Sequence, residues 1–157
     1  MQKEFFIKQI ELAYELNLPF VVHMRDATED ILNILKSTIK RLGKRENMGI
    51  IHSYSGSTET MNELIKLGFL ISFSGPVTFK NAKIQKECAS LCPLDKLLVE
   101  TDSPYLSPEP FRGKMNEPKN TYYTLKYISE LKGIDIKVLE DATSSNFNKL
   151  FHLEENL

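Results

Sequence analysis

The sequence predicts an α/β fold built on a parallel sheet, and three observations lead there. Short apolar runs alternate strictly with amphipathic helical segments, a pattern that implies parallel strands joined by right-handed crossovers. No internal repeat, low-complexity stretch or linker interrupts the alternation, so residues 1–157 are expected to form a single domain. With 41% hydrophobic and 26% charged residues, the chain has the composition of an ordinary soluble globular domain and enough apolar side chains to bury a core.

The first segment, Gln2 to Asn17, has helical periodicity, with Phe5, Leu12 and Leu16 on one stripe and Phe6, Ile10 and Ala13 beside it. Asn17 and Pro19 stop it. Phe20-Val21-Val22-His23 reads as a strand, apolar on both faces as parallel strands covered by helices are. Asp26 through Leu42 is the next helix; Asp26 and Glu29 have capping-box spacing and Gly43 is a stop signal. Gly49 to His52 is the second strand, Ser57 to Leu67 a helix ended by Gly68, and Phe69 to Phe73 the third strand. Asn81 to Leu91 is a helix closed by Pro93, and Leu97 to Glu100 is the fourth strand. A loop from Thr101 to about Glu117 holds Pro104, Pro108 and Pro110. Lys119 to Lys132 is helical, with Tyr122, Leu125, Ile128 and Leu131 as its apolar face and Gly133 as its end. A last helix runs from about Asp135 to Phe151.

Composition excludes several functions. The net charge is -1 and the isoelectric point is near 6.3, without a long Lys/Arg run, so charge alone does not hold this chain on nucleic acid. Phosphate recognition must then be local, through a few cations or a bound metal. No apolar run approaches the roughly 20 residues of a membrane span, and MQKEFFIKQIEL lacks the basic and apolar regions of a signal peptide. A cytoplasmic location and no membrane partner are expected. Cys88 and Cys92, four apart on a predicted helix, are too few for a structural zinc site and make no disulfide framework. They are expected to be reduced, partly buried thiols.

Functional side chains of parallel α/β folds gather at the carboxyl ends of the strands. In order, those ends read His23-Met24-Arg25-Asp26, His52-Ser53-Tyr54-Ser55-Gly56, Ser72-Phe73-Ser74-Gly75 and Glu100-Thr101-Asp102-Ser103. Two of the three histidines lie on this edge. Strand alternation puts His23 with Arg25 on one face, and Glu100 with Asp102 on one face. Two imidazoles and a carboxylate from neighbouring strands suit a divalent cation: Zn, Mn or Fe, or Mg in a carboxylate-rich variant. The competing explanation is structural, since such histidines are often only hydrogen-bonded and strand-end acids often cap the next helix. His152 has no partner in the pattern. The stretch Phe111-Arg112-Gly113-Lys114-Met115-Asn116-Glu117-Pro118 follows the acidic strand on the same edge. Arg112 could bind phosphate as a bidentate fork and Lys114 as a point charge; alone, the stretch also reads as a solvated basic loop.

LNLPFVVHMRDA, IIHSYSGS, LLVETDSPYLSP and RGKMNEP, in this order, resemble the TatD family of metal-dependent hydrolases. ETDSPYL followed by RGK-x-NEP carries most of the signal. The resemblance implies parallel (β/α) units of a TIM barrel, partial, about half of it, namely the last four strands. A complete barrel needs about 250 residues. It also implies hydrolysis of DNA phosphodiester bonds with one or two divalent metals (Mg, Mn or Zn). His23, His52 and Asp102 would be metal ligands, and Glu100 would join Asp102 in shaping the site and its catalysis. Arg25, Arg112, Lys114, Asn116 and Glu117 would line the substrate pocket, with a DNA strand end or single strand as substrate.

The family also takes ligands from an H-x-H motif after its first strand and a Glu after its fourth, and these 157 residues contain neither. The expectation is therefore a C-terminal part, with little turnover by itself, that pairs with a complementing N-terminal half or self-associates through exposed strand edges. Two rivals stand beside the nuclease: an inactive or partner-dependent barrel fragment, and a metal-dependent hydrolase of amides or esters.

Overall fold

The computed structural model describes residues 1–153. Its centre is an open sheet of four parallel strands in sequential order: β1 (Phe20–His23), β2 (Gly49–His52), β3 (Phe69–Phe73) and β4 (Leu97–Val99). Every connection carries a helix, as the alternation demands. The helices are α1 (Gln2–Glu15), α2 (Thr28–Leu42), α3 (Thr58–Lys66), α4 (Lys83–Leu91), α5 (Thr121–Lys132) and α6 (Ile136–Phe151). The parallel α/β architecture is the expected one. Among the described residues the sheet stays open, with β1 and β4 as its edges.

Register aligns the strand ends. Val21 pairs with Ile50 and His23 with His52, while Phe73 pairs with Val99. One face of the sheet, carrying Val22, Ile51, Ile71, Phe73 and Leu97, packs against Ile10, Leu35, Leu64, Cys88, Ile128 and Leu139 of the helices. On the opposite face Ile50, Leu70 and Leu98 are covered by Leu150 of α6. Asn146 fastens α6 to the last strand by donating to the carbonyls of Leu94 and Leu97 at 2.7 and 2.9 Å.

Four local expectations are corrected. On α1 the buried residue is Ile10, with Phe6 and Tyr14 packed beside it. Phe5, Leu12 and Leu16 face outward, because α1 leans on α2 through Lys3–Asp30 (2.6 Å) and Arg41–Glu11 ion pairs. The predicted box at Asp26 does not form: Asp26 has φ +53° and lies outside α2, whose N-cap is Ala27 without a side-chain bond. Ser57 does cap α3, accepting from the Thr60 N–H. Tyr122 points outward from α5, which buries Thr124, Leu125, Ile128 and Ser129. Finally, β1 is not covered on both faces, since Val21 is 61% exposed.

Candidate functional site

Each strand hands its last residues to a polar edge. Three non-glycine residues just beyond strand ends, Asp26 (φ +53°), Ser53 (φ +45°) and Asp102 (φ +59°), adopt the left-handed backbone region. Such conformations cost on the order of 1–3 kcal/mol each and persist where the surroundings over-determine them. Three along one edge, after β1, β2 and β4, mark it as a place where side-chain aim outranks backbone comfort.

His52 is the hub. Its Nδ1 lies 2.6 Å from Glu100 Oε1 and its Nε2 lies 3.3 Å from Asp102 Oδ1. The ring of His23 stands 5.6 Å away, tilted by 37°. His52, Glu100 and Asp102 are each partly buried, which strengthens their mutual attraction over that in water. The Glu100 contact is close without being an aligned hydrogen bond, so Oε1 is buried with no hydrogen-bond partner. A backbone bond from the Glu100 N–H to the Phe73 carbonyl (3.0 Å) extends the β3–β4 ladder by one residue and fixes where this carboxylate begins.

A cleft of about 520 Å³ opens on this edge, lined by His23, Arg25, Asp26, Ser53, Ser74 and Asp102 among others. His52 and Glu100 are not in its lining. Ser53 and Ser74 join their hydroxyls at 2.6 Å between β2 and β3. Sequence reasoning gave these serines no role; their only signal was their place at strand ends.

The loop carrying Asp102 is seated on the turn after β3. A Cβ at Gly75 would lie 2.0 Å from the Leu106 carbonyl oxygen, so only glycine admits the loop there. Thr78 Oγ1 accepts from the Glu109 N–H (2.9 Å) while donating to the Gly75 carbonyl (2.7 Å). Farther along, the expected pocket-lining residues diverge. Arg25 is exposed at the cleft and 3.8 Å from Asp26. Arg112 stacks over Phe79 at 4.3 Å, Lys114 stands 5.8 Å from the Phe111 ring, and Glu117 pairs with Lys119 at 2.7 Å. None of these three lines the cleft; Lys114 and Glu117 line a neighbouring groove of about 630 Å³.

Asn116 departs from the expectation of a substrate contact. It is buried, its amide donates to the carbonyls of Thr101 (2.6 Å) and Tyr105 (2.8 Å), and its Oδ1 accepts from the Glu117 N–H and Asn120 Nδ2. All its polar capacity is used inside the loop.

Among the described residues no group of three or more His, Cys, Asp or Glu side chains is arranged to hold a metal ion as it stands. The expectation of a ready three-ligand grasp is corrected to that extent: His52 is engaged on both sides by carboxylates, and the His23 ring stands 5.6 Å from it. The donor set still fits a divalent cation chemically. It pairs imidazole with carboxylate, and it leaves one buried carboxylate oxygen without a hydrogen bond. Cys88 and Cys92 are fully buried, with thiols pushed up to about 11 and about 12, chiefly by burial. They belong to the core. His152 ends α6 in a left-handed turn. No helix among the described residues is long and apolar enough to cross a membrane.

Residues 1–152 match the family model described as TatD related DNase. The chain is 47% identical over 153 residues to the uncharacterized metal-dependent hydrolase YabD of Bacillus subtilis, covering 98% of this chain and 58% of that protein. To YcfH of Escherichia coli K12, described in the same words, it is 45% identical over 154 residues, covering 98% and 56%. Among solved structures, the YjjV TatD homolog of Escherichia coli K12 superposes with a TM-score of 0.83 at 26% identity, over 92% of this chain and 54% of that one. The chain thus spans little more than half the length of these relatives. The match runs along nearly all of it and does not by itself assign it to their C-terminal part.

Proposed function

The chain belongs to the TatD-related DNase family, and from that premise we propose that it serves metal-dependent hydrolysis of DNA phosphodiester bonds. The observation that carries this reading is His52 held between Glu100 and Asp102 beside His23. Glu100 occupies the Nδ1 side of the ring, which leaves Nε2, facing Asp102, as the nitrogen for a cation; a carboxylate behind a ligating histidine orients it and raises its basicity. His23, His52 and Asp102 are the ligands this chain offers to Mg, Mn or Zn. When bound, such an ion supplies Lewis-acid polarisation of a phosphoryl oxygen and hydroxide at neutral pH.

The remaining roles fall to the protein. Glu100 acts through His52: its Oε1, 2.6 Å from Nδ1, shares that imidazole's proton. Arg25 at the cleft mouth meets the phosphate first, and Arg112 and Lys114 neutralise charge farther along the strand. Asn116 keeps the loop in shape for that task, and Glu117 lines the substrate groove beside Lys114. The described residues assemble no complete cage, so the chain alone is expected to turn over little DNA. The open β1 edge is where a complementing chain or a second copy would add.

Calorimetric titration with Mn2+ tests the site. Wild type is expected to bind weakly and Asp102→Ala not at all; equal binding by both would sink the assignment. Incubation of a labelled DNA oligonucleotide, an aryl ester and a peptide amide with Mn2+ tests the reaction class. Any turnover confined to ester or amide overturns phosphodiester chemistry.

A further inference from the structure

We propose that the groove formed by Phe111, Lys114, Met115, Tyr122 and Tyr123 holds unstacked bases of a single-stranded nucleic acid whose backbone runs on to Asp102. This rests on the phosphodiesterase reading above and adds to it a place where the rest of the substrate lies.

Three observations carry it. The first is an ordered set of rings. Phe111 meets Tyr123 edge to face at 4.9 Å and 75°, and Tyr123 meets Tyr122 at 5.6 Å and 82°. The outermost ring is left in solvent, with Tyr122 55% exposed and Met115 77% exposed. Each ring is braced edge to face by the next, so the exposed Tyr122 ring has little conformational entropy left to lose when a base stacks on it. The second is charge. Lys114 and Lys119 line the same groove against one acid, Glu117, and Arg112 stacks nearby on Phe79. Cations set beside rings match an alternation of bases and phosphates. A protein partner would call for a broader apolar core.

The third is mechanical continuity. Asn116, between Met115 and Glu117, donates to the carbonyl of Thr101 at 2.6 Å, and its own N–H donates to the Pro104 carbonyl at 3.0 Å. The groove wall is thereby fastened to the residue preceding Asp102. The groove's volume of about 630 Å³ lies within the range of ligand pockets. A net charge of -1 leaves little long-range attraction for duplex, so local stacking decides the preference for single strands.

The test is fluorescence anisotropy of the 157-residue chain with labelled oligothymidine and with a duplex of equal length, in EDTA. Single strand is expected to bind at least tenfold tighter than duplex. Tyr122→Ala should weaken single-strand binding about tenfold, Tyr122→Phe should restore most of it, and Lys114→Ala should flatten the salt dependence. Tyr122 is exposed, so these variants are expected to fold, which circular dichroism checks. Duplex bound as tightly as single strand, Tyr122→Ala binding like wild type, or no binding by wild type overturns the proposal. Because the assay is metal-free, it separates from the parent reading. Tyr122-dependent binding, together with turnover confined to the ester or the amide in the presence of Mn2+, would retain the groove and remove the nuclease.

Discussion

β3 and β1 lie in one sheet and are both mostly apolar, yet they live in different surroundings. All five residues of β3 are buried. β1 buries only Val22, exposing Val21 and His23. The difference is sheet order: β3 has strands on both sides and helices on one face with α6 near the other, while β1 ends the sheet. It teaches that an apolar tetrapeptide announces a strand but not its burial. It also places the chemistry. His23 hangs from the edge strand β1 and His52 from its inner neighbour β2, so one imidazole of the pair is accessible and the other is held by acids.

The sharpest way to break this comparison is Phe69→Ala. Phe69 is fully buried at the start of β3, and its loss is expected to cost about 3–5 kcal/mol of stability in urea unfolding. A loss below about 1 kcal/mol would mean that this face is not the core.

A smaller effect is expected from pH. Cys88 and Cys92 pack on the same face as β3, and burial raises both thiols, to about 11 and about 12. The folded chain therefore holds these protons more tightly than the unfolded one. Their contribution to stability is complete below the ordinary thiol value, near 8.5, and is lost as pH rises from there through about 12. Melting temperature should fall across that window, and native protein at pH 8 should resist alkylation. Rapid labelling at pH 8 would place the thiols outside the core.

Val21→Ala closes the series. On the open strand it should change stability by no more than about 0.5 kcal/mol. A cost near that of Phe69→Ala would show that another chain covers β1 in solution.

Much of the fold was legible. Gly43, Gly68, Pro93 and Gly133 stopped helices where expected, and the β/α alternation called for parallel strands. The strand-end motifs pointed to the correct edge, since a sheet of parallel strands must bring its carboxyl ends together. What failed was local. Asp26 carried capping-box spacing but turned left-handed, and the α1 stripe was assigned to the wrong residues, because several apolar stripes fit one helix until a neighbour selects one. Asn116 looked like a ligand contact and is a loop pin, for the same carbonyls that it binds are far away in sequence.

The sequence by itself determined the order and kind of elements, because periodicity and stop signals act within a few residues. It determined also which strand ends carry imidazole and carboxylate. Only the tertiary structure decided that His52 meets both Glu100 and Asp102, that Ser53 bonds Ser74, and that Gly75 seats the acidic loop. These are contacts between segments tens of residues apart, and their geometry follows from register and packing, which no local pattern encodes.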